Sequence, residues 1–202
     1  MPDSGMVQGA AKQAKKEAGM EHLFLTNETE ETFLQRIREN LRRCGGFSFS
    51  VSFIKKAGLV LLLKDMEAAL SRGVRGRLIT STYQNFTDIE SLKVFRRLMN
   101  QYSNFQCRLD FESFHDEHYS AIGYHSKGYI FDFSDHSEIV IGSSNITRYA
   151  LLKNVEWDLL LSVNPDSDVY LETMFEFENR WKGTEEVTLC KREKYSLYRR
   201  TP

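Results

Sequence analysis

The sequence has little of three features that mark particular protein classes. It contains three cysteines and three prolines in 202 residues, and its longest wholly apolar run, 59–63, is far shorter than the roughly 18 residues of a membrane span. Cys44, Cys107 and Cys190 lie far apart and form no CxxC pair. We therefore expect no disulfide framework, no cysteine zinc site and no membrane segment, but a cytoplasmic protein with three reduced, buried thiols.

An excess of charge of either sign is also missing. The 27 basic and 28 acidic residues leave a net charge of −1, which argues against a chain that coats nucleic acid through its total charge. The charges are unevenly distributed, however. Acidic residues dominate 151–186, whereas 191–200 hold five Lys or Arg and one Glu. A focused basic cleft therefore remains compatible with the neutral total.

The composition and length favour one folded domain. Hydrophobic residues make up 41% of the chain, which is enough for a full core. The Ala- and Lys-rich residues 1–22 are predicted to be a flexible leader. The folded domain is predicted over 23–182, and 183–202 form a basic tail that could link to a further domain.

Hydrophobic periodicity predicts alternating helices and strands. The first half should contain helices at 27–43, 56–72 and 87–102 and strands at 47–53, 74–80 and 105–109. Asn27 with Glu30, and Thr87 with Glu90, are predicted to cap two of these helices. The second half should contain an extended segment at 119–133, strands at 138–141 and 155–163, a short helix near Asn145 and a final helix from Asn164-Pro165. This order predicts an α/β fold whose mixed, largely parallel sheet has helices on both faces.

Three short segments carry residue types suited to phosphate chemistry: HSKGYIFD from His125, GSSN from Gly142, and NVEW from Asn154. His125 and Lys127 are two residues apart on an extended segment, so their side chains share one face. The small residues 142–145 before a helix would present backbone N–H groups to an anion. Glu156 could meet the imidazole from the next strand. The alternative for His125 and Lys127 alone is a solvated pair on an exposed edge.

The combination HxKxxxxD followed by GSxN resembles the phospholipase D superfamily in its single-motif nuclease branch. Further segments, FLTNETEETFLQRI and GRLITSTYQNFTD among them, are similar to the phospholipase-D-like domain found N-terminal to superfamily II helicase and restriction-like proteins. The resemblance spans about 23–182. It implies a phospholipase-D-like fold and a metal-independent phosphodiesterase that cleaves DNA, within a restriction, defence or helicase-associated system.

The resemblance also implies four catalytic positions. His125 would attack the phosphodiester and form a phosphohistidine intermediate. Lys127 and Asn145 would hold the non-bridging oxygens and the charge that develops on them. Glu156 would orient the imidazole and, as a neighbouring carboxylate, raise the histidine pKa.

Four further motif residues have supporting roles in this interpretation. Ser143 and Ser144 would help to bind the substrate, whereas Asp132 and Gly142 would support the site without reacting. The interval from Asp132 to Gly142 is longer than in the commonest version of the motif, which weakens the usual placement of Asp132. The mechanism requires no metal and no cofactor.

One motif supplies one histidine, although the reaction needs a nucleophile and a separate general acid. We therefore expect a homodimer with a composite active site that brings two His125 side chains together. Two other function classes remain open: a non-catalytic nucleic-acid-binding or dimerisation module of a helicase, and a phospholipase or phosphatidyltransferase. Cleavage of DNA in EDTA would separate these alternatives.

Two further histidines and two tryptophans also have expected roles. His115 and His118 are metal-ligand types, but they fall in a predicted loop without an HExxH pattern, so a polar loop is favoured over a metal site. Trp157 and Trp181 are predicted to lie in the core.

Overall fold

An eight-stranded mixed sheet forms the centre of the described part of the chain, which in this computed structural model comprises residues 21–82, 86–110 and 123–187. The strands are β1 (His22–Leu25), β2 (Gly46–Val51), β3 (Arg75–Ser81), β4 (Phe105–Asp110), β5 (Lys127–Asp132), β6 (Ser137–Gly142), β7 (Asp158–Val163) and β8 (Glu185–Glu186). Their spatial order is β1-β7-β6-β5-β2-β3-β4-β8.

The sheet is more antiparallel than the sequence predicts. Among the described strands, only the β2–β3 and β3–β4 pairs are parallel, and the other five neighbouring pairs are antiparallel. Helices connect β2 to β3 and β3 to β4, as parallel neighbours require. By contrast, β5 and β6 are joined by a short turn that reverses the chain. The mixed α/β class is confirmed, but a largely parallel sheet is wrong.

Helices cover both faces of the sheet, as predicted. They are α1 (Phe33–Arg43), α2 (Lys56–Ser71), α3 (Ile89–Gln101), α4 (Arg148–Leu152) and α5 (Asp168–Gly183). One core, with Phe49, Phe95 and Phe131 at its centre, lies between the sheet and α1–α4. The other core contains Ile130 and Phe177 and lies between the opposite face and α5. No helix in the described ranges has the length and apolarity needed to cross a membrane.

The alternation of β2 is confirmed by its two faces. Phe47, Phe49 and Val51 are almost fully buried in the core beneath α1–α4. Ser48 and Ser50 point to the opposite face, where Ser48 accepts a hydrogen bond from Arg77. A strand with period two thus separates apolar from polar side chains across the sheet.

Three predicted helix starts are wrong: those of the first, third and final helices. The first helix begins after Thr32, whose hydroxyl accepts from the Gln35 N–H while the Gln35 side chain accepts from the Thr32 N–H. Asn27 instead donates to the carbonyls of Ala150 and Asn154. The capping box of this helix is therefore formed by Thr32 and Gln35, whereas the Asn27 side chain is bonded to distant carbonyls.

The third helix is capped by Asp88 rather than Thr87. The Thr87 hydroxyl accepts from the backbone N–H of Ile54 and hydrogen-bonds to Thr80, so it joins α3 to the sheet. The final helix begins at Asp168 with Ser167 as its cap, beyond the predicted start at Asn164-Pro165. Both corrections place the cap at the residue whose side chain reaches the first free N–H groups.

The ends of the chain and the cysteines are also predicted from the sequence. Most of the predicted leader and tail lie outside the described residues, but 185–186 of the tail form β8 against β4. Cys44 and Cys107 are buried free thiols, as predicted. Burial raises the pKa of Cys44 to about 11, and Cys190 lies outside the described residues.

We predict that Arg36→Ala destabilises the protein by about 3–5 kcal/mol, because it leaves a buried carboxylate without its cation. The Glu138 carboxylate, only 5% exposed, accepts hydrogen bonds from Arg36 at 2.7 and 3.2 Å and from Asn40 at 2.6 Å. Urea unfolding measures the change. The matched control is Arg97→Ala, which removes the exposed pair with Glu67 and should cost about 1 kcal/mol or less. Equal losses in the two variants would contradict the prediction.

Candidate active site

The sheet register brings the three motif segments to one end of the sheet. Gly128 of β5 pairs with Ile141 of β6, and Gly142 pairs with Asp158 of β7. The start of β5, the end of β6 and the start of β7 are therefore neighbours. His125, the GSSN loop (residues 142–145) and Glu156 belong to the connections at this edge, so antiparallel pairing assembles residues that lie up to 31 positions apart.

The segment that carries His125 is tied to the end of β2. Ser52 donates its backbone N–H to the Ser126 carbonyl at 2.8 Å and its hydroxyl to the Tyr124 carbonyl at 2.9 Å. The buried Tyr124 hydroxyl also lies 2.5 Å from Ser50 Oγ. These bonds hold the backbone on both sides of His125, although His125 itself precedes the first strand residue.

His125 and Lys127 form a compact pair. Lys127 is 8% exposed, and its Nζ lies 2.8 Å from Nδ1 and 3.1 Å from Nε2 of the exposed imidazole. The same ammonium donates to the His125 carbonyl at 2.8 Å. An ammonium can only donate, so a hydrogen bond from Lys127 requires an unprotonated ring nitrogen, and the tautomer decides which of the two nitrogens accepts.

The pKa of His125 shifts in the direction opposite to the one predicted. Partial desolvation of the ring, and then the Lys127 ammonium, lower the pKa of His125 below its ordinary value of 6.5. The sequence instead predicts that Glu156 raises the pKa of His125. Burial likewise lowers the pKa of Lys127, and the Glu156 charge opposes that change. The Glu156 charge is thus a cause of the pKa shift of Lys127 and not of His125.

Glu156 supports the neighbouring loops through two hydrogen bonds. Its carboxylate accepts from the Ser143 hydroxyl and, at 3.1 Å, from Asn154 Nδ2. Ser143 Oγ in turn accepts from the backbone N–H of Trp157 at 3.1 Å. The described hydrogen bonds of Glu156 thus run to Ser143 and Asn154 rather than to the predicted partner, the imidazole.

Asn145 is placed by the connection that leads into α2. It is 7% exposed, and its Oδ1 accepts from the Phe53 N–H at 3.3 Å, which leaves the Nδ2 donors for another partner. The next residue, Ile146, accepts from the Lys55 N–H at 2.9 Å. Gly58 of α2 lies so close that a Cβ there would be 2.5 Å from Thr147 Cα. The loop therefore packs backbone against backbone on α2.

The other three predicted residues lie in different surroundings. Ser144 is fully buried, and its hydroxyl donates to Asp158 at 2.6 Å, so that group points into the protein. Gly142 lies at the end of β6, directly opposite Asp158. Asp132 lies at the far end of β5, where it accepts hydrogen bonds from Ser137 and Tyr170 at 2.9 Å. Asp132 therefore fastens α5 to the sheet and is remote from His125.

A cleft of about 640 Å³ opens beside His125 and Lys127, between the sheet and α5. Its walls include the apolar side chains of Ile130, Ile141 and Phe177. The site also depends on residues that the sequence analysis missed, Asp158 and Gly58 above all. Asp158 carried a signal, because it lies two residues after Glu156 and therefore on the same face of a strand.

Two predictions about other side chains have different outcomes. Trp181 is 8% exposed and lies in the core, as predicted, but Trp157 is 67% exposed, so its predicted burial is wrong. His115 and His118 lie outside the described residues. Within the described ranges, no group of three or more His, Cys, Asp and Glu side chains is arranged to hold a metal ion.

Solved structures with this fold include three from bacteria. Nuc, a phospholipase D family member from Salmonella typhimurium, has a TM-score of 0.60 and 19% identity over 83% of this chain and 97% of its own. NucT from Helicobacter pylori has a TM-score of 0.60 and 13% identity over 83% and 99%. Phosphatidylserine synthase from Haemophilus influenzae has a TM-score of 0.60 and 14% identity over 92% and 48%.

Sequence comparisons define the family more directly. Comparison with curated proteins gives no significant match. The family model described as "Cardiolipin synthase, PLD-like domain" matches residues 49–181, a range that contains His125, Lys127, the GSSN loop and Glu156. The chain therefore belongs to the phospholipase-D-like family that this model describes.

Proposed function

We propose that this protein is a metal-independent phosphodiesterase that cleaves DNA through a phosphohistidine intermediate. The contact between the Lys127 ammonium and the His125 imidazole, at 2.8 Å, carries the proposal. In this contact a histidine ring nitrogen lies beside the lysine ammonium at the mouth of a cleft. A nucleophile and a phosphate ligand are thereby within reach of the same phosphorus atom.

The proposed reaction has two steps. In the first, a ring nitrogen of His125 forms a bond to phosphorus, the bond from phosphorus to the leaving oxygen breaks, and a general acid protonates that oxygen. In the second, water attacks the phosphohistidine, the N–P bond breaks, and the water proton passes to the group that acted as the acid. Lys127 and Asn145 Nδ2 neutralise the charge on the non-bridging oxygens, so no divalent cation is required.

Basic side chains near the loop support a nucleic-acid substrate. Lys55 precedes α2, and Arg148 and Lys153 lie at the two ends of α4. The bridge between Ile54 and Ile146 brings the start of α2 next to the segment between the GSSN loop and α4, so Lys55 and Arg148 belong to neighbouring segments beside the loop. Cations around a phosphate site provide sequence-independent attraction to a DNA backbone. The proposed link to a helicase or restriction system rests on the sequence resemblance alone.

A phospholipid is the alternative substrate, and the cleft is the observation that favours it. Ile130, Ile141 and Phe177 give the cleft an apolar wall, and the protein shares its fold with a phosphatidylserine synthase. Release of headgroup from phosphatidylcholine or phosphatidylserine vesicles, without cleavage of DNA, would favour this function.

We predict that the purified chain cleaves DNA in EDTA and that His125→Ala reduces cleavage at least about 10⁴-fold, because the covalent route then has no nucleophile. Gel analysis of plasmid cleavage provides the measurement. His136→Ala is the matched control, since His136 stacks on Phe133 in the turn between β5 and β6, away from the site. Cleavage that requires Mg²⁺, or that persists without His125, would disprove the mechanism.

The lowered pKa of His125 predicts the acid limb of the pH profile. The neutral imidazole is the reactive form, and a pKa below 6.5 keeps it neutral to lower pH than an ordinary histidine. We expect kcat/KM for bis(p-nitrophenyl) phosphate to fall only when the pH drops through a value below 6.5. An acid limb above 6.5 would mean that Glu156, and not Lys127, dominates the titration.

The composite site requires a second copy, and an apolar surface next to the cleft suits that partner. Phe24, Leu159 and Ile141 lie in register across β1, β7 and β6 and are 54%, 45% and 51% exposed. Trp157 contacts the Phe24 ring edge to face at 5.6 Å between centroids. Because Ile141 also lines the cleft, a copy that covers this surface would bring its own His125 close to the first.

We predict that Leu159→Glu produces monomers and lowers cleavage at least about tenfold, because a charge at the apolar surface opposes association and removes the general acid. Sedimentation velocity measures the oligomeric state, and plasmid cleavage measures activity. Phe175→Glu is the control, since Phe175 is 69% exposed on α5 outside this surface. A wild-type protein that is monomeric at concentrations where it cleaves DNA would contradict the composite site.

A further inference from the structure

The GSSN loop is hydrogen-bonded to a buried carboxylate that is not part of the motif, that of Asp158. Asp158, the first residue of β7, is 1% exposed. Its carboxylate accepts hydrogen bonds from the Ser144 N–H at 3.2 Å and from Ser144 Oγ at 2.6 Å. Ser144 lies between Ser143 and Asn145, so these two bonds hold the middle of the loop from inside the protein.

The contacts of Ser144 are completed from the neighbouring strand. Tyr129 of β5 donates its hydroxyl to the Ser144 carbonyl at 2.7 Å, and this hydroxyl is buried with the rest of the ring. The amide, the hydroxyl and the carbonyl of Ser144 are thus all engaged. A residue fixed at three polar groups has little freedom, so the loop has one defined position relative to β5 and β7.

Gly142 provides the space for this carboxylate. A Cβ at Gly142 would lie 2.2 Å from Asp158 Oδ1 and 2.3 Å from the Trp157 carbonyl oxygen. Any side chain at position 142 would therefore displace Asp158 or the backbone of β7. The absence of a side chain at Gly142 and the position of Asp158 are two parts of the same arrangement.

The buried charge of Asp158 is not explained by an ion pair. Among the described residues, no Lys, Arg or His side chain lies within ion-pair distance of Asp158. Burial raises the pKa of Asp158, and the hydrogen bonds from Ser144 oppose that increase. A buried carboxylate without a cation lowers stability, whereas its two hydrogen bonds act directly on the loop that carries Asn145.

We propose that Asp158 is a positioning residue that holds the GSSN loop in its phosphate-binding geometry. This inference rests on the proposed function, since Asn145 acts there on the phosphate. Asp158 acts through Ser144, whose neighbour Asn145 makes that contact. Without the carboxylate, the loop loses two of its anchors and the donors of Asn145 move relative to His125 and Lys127.

Asp158→Ala should therefore lower kcat for bis(p-nitrophenyl) phosphate about 10–100-fold, because a displacement of about 1 Å at a reacting group has an effect of this order. KM should change much less than kcat. Asp158→Asn should restore most of the rate, since the amide oxygen can accept from the Ser144 N–H while the amide N–H donates to Ser144 Oγ. Glu138→Ala is the matched control, because it removes another buried carboxylate, on β6, without touching the loop.

A merely structural role predicts different results. Asp158→Ala and Glu138→Ala would then lose kcat equally, or in proportion to their loss of stability in urea, and Asp158→Asn would give no selective rescue. Either outcome, or a wild-type kcat in Asp158→Ala, would overturn the proposal.

Binding of inorganic phosphate, measured by titration calorimetry, separates this inference from the proposed function. If the wild type hydrolyses no diester but binds phosphate more tightly than Asp158→Ala does, the proposed reaction fails and the positioning role stands. If the wild type hydrolyses diesters and Asp158→Ala does so equally well, the positioning role fails and the reaction stands. A wild type that neither cleaves diesters nor binds phosphate overturns both.

Discussion

The site depends on one interaction, the contact between a largely buried ammonium and a neutral imidazole. Lys127 is 8% exposed and lies 2.8 Å from His125 Nδ1. A cation removed from water needs acceptors, which the His125 carbonyl and ring provide, and Glu156 contributes a nearby negative charge. Burial lowers the pKa of Lys127 and the Glu156 charge opposes that change, while the lowered pKa of His125 favours the unprotonated ring that covalent attack on a phosphodiester requires.

The sheet maintains this contact by fixing the backbone around it. β2 holds the segment that carries His125 through Ser52, and the antiparallel order of β5, β6 and β7 places the GSSN loop and Glu156 at the same edge. Gly58 lets α2 pack closely against Ile146 and Thr147, which follow the loop. Asp158 accepts a hydrogen bond from Ser144 in the middle of the loop. The precision of the site thus comes from strands and buried hydrogen bonds rather than from the loops alone.

The neutral net charge agrees with this local arrangement. Phosphate recognition in the proposed mechanism needs one buried lysine and a few flanking cations, not a basic surface. Three arginines illustrate the point, because each is already paired with a carboxylate: Arg36 with Glu138, and both Arg38 and Arg42 with Asp65. A chain with a total charge of −1 can therefore present a positive site within a largely neutral exterior.

Local sequence indicated the five helices, six of the eight described strands and the placement of His125 and Lys127 on one face, because periodicity and two-residue spacing act within a few residues. It did not indicate β1 or β8. The sequence also indicated Gly142, Ser143, Asn145 and Glu156 as companions. The fold also lowers the pKa of His125, because it partly desolvates the ring beside Lys127. Long-range contacts make the sheet mostly antiparallel, make Thr32 rather than Asn27 the cap of α1 and leave Trp157 facing solvent. Each of these depends on which distant strand, carbonyl or charge becomes a neighbour, and no local pattern contains that information.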